Sequence, residues 1–196
     1  MDISELFGGN AADHDSDERY QAILERVRAV APSCLGGFAC TPAHAAEWDN
    51  YARWSIACKC GSARGAVLGH PLDELTGDDS LSGQLAGPLA FRCAACDTVT
   101  EMLDSAAHGY NAMISPSGKS FDASHRGDGP RSVAACPGCS GTKCAVVGEF
   151  GHSHFDHIED EPDLLDVAQD SFDGFACKAT CAGCGKERWV ASFELA

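Results

Sequence analysis

Basic residues are scarce in this chain of 196 residues, where 14 Lys and Arg stand against 29 Asp and Glu for a formal charge of -15. Affinity for nucleic acid draws on cations that neutralise phosphates, so this balance argues against nucleic acid as a direct partner. Long apolar runs are missing as well. No stretch approaches the roughly 18 residues of a membrane span, and the opening MDISELFGGNAADHDSDE lacks a basic segment followed by an apolar core. The expectation is a cytoplasmic protein without a membrane partner. There is also too little chain for two large cores: a unit of about 60 residues buries only about 60% of its unfolded surface and needs a supplement.

What the chain does have is cysteine, 12 residues of it. In a reducing compartment, closely paired cysteines bind metal rather than oxidise. Cys58 and Cys60 (CKCG) are followed 33 positions after Cys60 by Cys93 and Cys96 (CAAC). Cys136 and Cys139 (CPGC) are followed 42 positions after Cys139 by Cys181 and Cys184 (CAGCG). A tight turn presents two thiolates to one ion, and a second turn completes the tetrahedron that zinc prefers. Gly61 and Gly185, each directly after a second cysteine, free those turns to take positive φ. The expectation is two structural zinc ions, one in each half. Iron is the competing metal, because four thiolates do not choose between the two. Cys144 and Cys177 read as core or as exchangeable ligands, and Cys34 and Cys40 are spaced too loosely for a standard knuckle.

Along the chain, Tyr20, Ile23, Leu24 and Val27 recur at helical spacing and predict a helix over 16–30. Thr41 as cap and Pro42 at the first helical position predict a second one, through Trp48 and Tyr51 toward Trp54. Short β-prone runs follow at 55–57, 65–68, 89–92, 98–103 and 110–114, then at 143–150, 175–180 and 188–193. One helical turn is expected after Pro162. The Ser-, Gly- and Pro-rich stretch 115–132 reads as a linker or long loop. The divisions are therefore 1–54, an N-terminal helical segment; 55–114, a first unit; 115–132, the linker; and 133–196, a second unit. Both units run knuckle, excursion, knuckle, strand, an order that points to internal duplication.

The turns at CPGC and CAGCG resemble the knuckles of zinc ribbons and rubredoxin-like domains. That resemblance covers the knuckles and the strands after them, and it implies two zinc-ribbon-like units in an α+β protein of mainly small antiparallel β-sheets. The CxC and CxxC of Cys58, Cys60, Cys93 and Cys96 are similar to the structural zinc set of glutathione-dependent formaldehyde-activating enzymes. The CxCxxC catalytic cluster of that family has no counterpart here. In GHSHFDHI, His152, His154, Asp156 and His157 match the HxHxDH signature of metallo-β-lactamase-like hydrolases residue for residue, but the later histidines of that family's site do not follow.

No GxSxG elbow is present, and His70, His108 and His125 read as isolated residues of turns or loops. The stretch HGYN at 108–111 reads as a packed turn or the lining of a small groove. Acidic residues concentrate at 13–18, 73–79 and 156–173, where they serve solubility and can draw in a basic protein partner. The functional expectation is an acidic binding protein, an adaptor or an inhibitor of the immunity-protein type, with structural zinc. Two alternatives stay open: a metal-dependent enzyme built on His152, His154, Asp156 and His157, and a rubredoxin-like iron protein for electron transfer.

Overall fold

Apolar spacing in the first helix accounts for how it docks. In the computed structural model, which describes residues 21–43, 50–114, 126–152 and 162–195, residues 21–29 are helical (α1). Ile23, Leu24 and Val27 are all buried on one face of α1, as their spacing requires. Tyr20 and the expected start of this helix lie outside the described residues.

The rest of the described chain is mostly antiparallel β structure, with few helices. Strands β1 (Phe38–Pro42), β2 (Tyr51–Cys58), β3 (Gly65–Pro71), β4 (Leu85–Cys93) and β5 (Val99–Leu103) come from the first half. Strands β6 (Ser132–Val133), β7 (Cys144–Gly151), β8 (Gly174–Cys181) and β9 (Glu187–Glu194) come from the second. Two short helices, α2 (Leu72–Thr76) and α3 (Tyr110–Ile114), and three 3-10 segments, Ser33–Leu35, Asp79–Leu81 and the expected turn after Pro162 at Pro162–Asp170, complete the described elements. No helix among the described residues is long and apolar enough to cross a membrane.

Two expectations are corrected. The helix from Thr41 toward Trp54 does not form, because Phe38–Pro42 and Tyr51–Cys58 are strands that pair with each other, Pro42 opposite Trp54. Ala52, Trp54, Ile56 and Cys58 are buried in alternation with more exposed neighbours, the period of a half-buried strand. Residues 110–114, expected as a strand, form α3 instead. The turn into α3 is set by Gly109 at φ 91° and by the Tyr110 N–H, which donates to the Phe172 carbonyl at 2.8 Å.

Strand pairing follows one plan twice. In the first half Gly65 of β3 faces Cys93 of β4, and in the second Cys144 of β7 faces Cys181 of β8. β5 joins β4 with a register shift between Leu89 and Ala90, four and three residues before Cys93. β9 joins β8 with a register shift between Cys177 and Lys178, four and three residues before Cys181. A bulge re-aims the strand that carries it, so the same irregularity at the same distance from the metal-ligand candidates re-aims β5 and β9 alike.

The strands that lead into the first knuckle of each half are exchanged. β2, which ends at Cys58, pairs with β7 of the other half, while β6, which precedes Cys136, pairs with β3. Gly65 and Cys144, the first residues of β3 and β7, pair with each other at the crossing point. All nine described strands consequently lie in one hydrogen-bonded sheet system.

One apolar cluster takes side chains from both halves. Phe150 packs edge-on against Phe172 at 4.9 Å and Phe175 at 5.2 Å, and Phe38 meets Phe91 at 6.1 Å. Such edge contacts add roughly 0.5–1.5 kcal/mol each beyond area burial.

Candidate metal centres

The eight cysteines read as ligand candidates come together as two sets of four. In the first set, Cys58, Cys60, Cys93 and Cys96 place their sulfurs within 4.8 Å of one another. Cys136, Cys139, Cys181 and Cys184 do the same in the second. The closest contacts are Cys60 to Cys93 at 3.5 Å and Cys58 to Cys96 at 3.6 Å, matched by Cys139 to Cys181 at 3.5 Å and Cys136 to Cys184 at 3.6 Å. A tetrahedral ion with metal–sulfur bonds of about 2.3 Å sets its ligands about 3.8 Å apart, and a disulfide would bring them to about 2.05 Å. Both sets have the dimensions of a four-thiolate metal site. The donors fit a soft divalent ion, and four sulfurs suit zinc and iron alike.

Local backbone chemistry explains why each pair converges. In all four turns the residue after the second cysteine is left-handed: Gly61 at φ 90°, Asp97 at φ 58°, Ser140 at φ 56° and Gly185 at φ 72°. In all four, that residue's N–H donates to the carbonyl of the first cysteine, over 2.8, 3.1, 2.7 and 2.9 Å respectively. Glycine signalled two of these positions in the sequence. Asp97 and Ser140 gave no such signal beyond being residue types that tolerate this conformation or bond locally to the backbone.

Electrostatics repeats from one set to the other. Backbone N–H groups of Cys96 and Ala95 pull the Cys93 thiol down to about 6, and those of Cys184 and Gly183 do the same to Cys181. The Ala95 and Gly183 nitrogens each stand 3.4 Å from the sulfur. Cys60 runs the other way: the Ser62 N–H favours its thiolate, but contact with Cys93, Cys58 and Cys96 pushes it up to about 12. Cys139 is likewise pushed up to about 12 against its Gly141 N–H by Cys181, Cys184 and Cys136. Four thiolates this close repel one another, and a divalent cation at their centre removes that repulsion. The first cysteine of each pair is buried and the second exposed, so each set sits at the rim of the core.

The four other cysteines belong to neither set among the described residues. Cys144 and Cys177 are buried in β7 and β8, as a core role requires, and burial raises both thiols. Cys34 is pushed up to about 12, first by burial and then by the Asp170 carboxylate. Cys40 stands 3.9 Å from the Leu35 carbonyl.

Of the HxHxDH string, His154, Asp156 and His157 lie outside the described residues, as does His125. His152 is buried at 1% exposure directly after β7, and burial lowers its pKa to about 4 against the opposing pull of Asp173. His70, expected in a loop, is instead buried in β3, where Gly127 packs against its ring so closely that a Cβ would collide with it. His108 accepts a hydrogen bond at Nδ1 from the Asp104 N–H at 3.0 Å. With Gly109 and Met113 it lines a cavity of about 230 Å³, so the groove reading of this stretch has a geometric counterpart.

Two larger concave regions lie elsewhere. A groove of about 510 Å³ runs between Tyr51, Glu149 and Trp189, and one of about 390 Å³ lies between β6 and α2. Compared with protein families, curated proteins and solved structures, the chain matches none of them. Functional inference therefore rests on the geometry and charge of the molecule itself.

Proposed function

We propose that the chain is a cytoplasmic, zinc-stabilised binding protein. In this reading it consists of two zinc-ribbon-like units, 55–114 and 133–196, joined by 115–132 and preceded by 1–54, each unit closed by one structural zinc. The protein recognises another protein, as an adaptor or as an immunity-type inhibitor, and its charge of -15 favours a basic partner.

The observation that carries the reading is that each set supplies four sulfurs to one point. Structural zinc sites are closed by four protein ligands, whereas catalytic ones keep a position for water or substrate. Zinc is favoured over iron by the long intervals between the knuckles of each set. Structural zinc contributes about 10–16 kcal/mol in finger peptides, comparable with the whole net stability of a domain at about 5–15 kcal/mol.

The test joins metal analysis to binding. Purified protein should be colourless with two zinc ions per chain; a red protein containing iron would replace this reading with electron transfer. The zinc-loaded chain should retain a basic protein from native cytosol at low salt and release it at high salt. Hydrolysis of model substrates that disappears in His154→Ala would instead support the enzyme alternative.

A further inference from the structure

We propose that β6 and the acidic turn beside it form a docking groove for an extended, basic segment of a partner protein, which adds as a strand to the outer edge of β6. This rests on the protein-binding reading above and names its site.

The edge comes first. The Ala134 N–H donates to the Val67 carbonyl at 3.0 Å, and Val133 and Ser132 stand opposite Leu68 and Gly69 of β3. Antiparallel ladders alternate, so Ser132 and Ala134 direct their backbone groups to β3 while Val133 and Ala135 direct theirs away from it. Among the described residues β3 is the one strand paired with β6. Outward backbone groups on a strand edge are a template for another strand.

The repeated plan shows what such an edge takes. β2 leads into Cys58 as β6 leads into Cys136, and β2 carries β7 on one side and β1 on the other. Ser55 stands three residues before Cys58, as Val133 stands three before Cys136, and Ser55 is paired with Thr41 of β1. Beside Val133 the described chain supplies no equivalent of β1. What it supplies is the groove of about 390 Å³, with Val133 and Ala135 on one wall and Asp73, Glu74 and Gln84 on the other.

Charge selects the occupant. Between Leu72 and Leu85 the sequence holds Asp73, Glu74, Asp78 and Asp79 and no Lys or Arg. Two nearby cations are committed: Arg131 is held by both Glu101 oxygens at 2.7 Å, and Arg188 by the Gly83 carbonyl at 2.8 Å. A strand with alternate Lys or Arg side chains places its cations against this wall while its backbone bonds β6. A second copy of the chain would bring two such carboxylate walls together.

The experiment uses the full, zinc-loaded chain labelled with nitrogen-15 and a capped peptide of alternating lysine and valine; the same peptide with glutamate for lysine is the control. The lysine peptide should shift the Val133 and Ala135 amides and slow their hydrogen exchange. The glutamate peptide should do neither. Asp73→Lys with Glu74→Lys should weaken binding at least ten-fold. Val133→Pro removes an outward N–H, leaves the bonds to β3, and should weaken binding as strongly. Equal binding of the two peptides, full affinity in the charge-reversed variant, or concentration-dependent dimerisation that protects the same amides would each overturn the proposal. Shifts centred on Trp189 would overturn this site while leaving a basic-partner reading in place. No binding of the lysine peptide at any surface would count against both.

Discussion

The Cys144 thiol donates to the Gly65 carbonyl at 3.5 Å, joining the first residues of two strands that each follow a paired-cysteine turn. Through this contact β3 and β7 meet, and on either side of it each half lends a strand to the other. A Cβ on Gly65 would run into the Arg92 carbonyl and the Phe91 ring. Gly65→Ala should therefore lower stability by about 1–3 kcal/mol, the usual cost of overpacking, read as a shift of the urea midpoint. An unchanged midpoint would mean that the crossing point tolerates a wider separation than its geometry implies.

Removing one ligand should cost one ion. Cys60→Ser and Cys184→Ser should each lower zinc content by about one ion per chain, with much of the protein becoming insoluble. Cys144→Ser should keep both ions, because its sulfur lies outside both sets. Loss of an ion from Cys144→Ser, or full zinc in the other two, would contradict the assignment.

The left-handed residue after each second cysteine gives a gentler probe. Gly185 sits at φ 72° and Ser140 at φ 56°. Gly185→Val puts a β-branched side chain into that region and should destabilise the zinc-loaded protein by about 1–2 kcal/mol. Ser140→Gly should be near neutral, since relief of strain offsets the added freedom of the unfolded chain. Thermal melting of the two variants checks the contrast, and equal melting temperatures would sink it.

His152 makes stability depend on pH in a defined direction. Its folded pKa is lowered to about 4 by burial, below the ordinary value of 6.5. The unfolded chain takes up the proton first, so the contribution of neutral His152 is complete above about pH 6.5 and is lost as pH falls toward 4. The interval corresponds to roughly 3 kcal/mol. Urea denaturation at about pH 7.5 and pH 5 should show the decline, and His152→Gln should flatten part of it at unchanged zinc content. An identical slope in the variant would refute the role given to His152.

Thiolate pairing was legible in the sequence because a metal-ligand turn is local: two cysteines and a permissive residue after them suffice. Strand pairing was only partly legible. The buried alternation of Ala52, Trp54, Ile56 and Cys58 was present, but Thr41 and Pro42 looked like a helix start. Pro42 is tolerated in β1 because an edge strand leaves some N–H groups unused. Helix α3 depends on the Tyr110 to Phe172 bond, a contact between residues far apart in sequence. β6, with its two residues, was hidden because its existence depends on β3. The exchange of β2 and β6 between the halves is likewise a long-range property, although the recurring knuckle order pointed to the repeat behind it.

The most direct measurement is native mass spectrometry with elemental analysis of freshly purified protein, followed by melting with and without a zinc chelator. The account predicts two zinc ions per chain, all 12 cysteines in thiol form after chelation, and loss of the cooperative transition when zinc is withdrawn. Protein that carries no metal yet melts cooperatively, or whose mass shows its cysteines joined as disulfides, would contradict it.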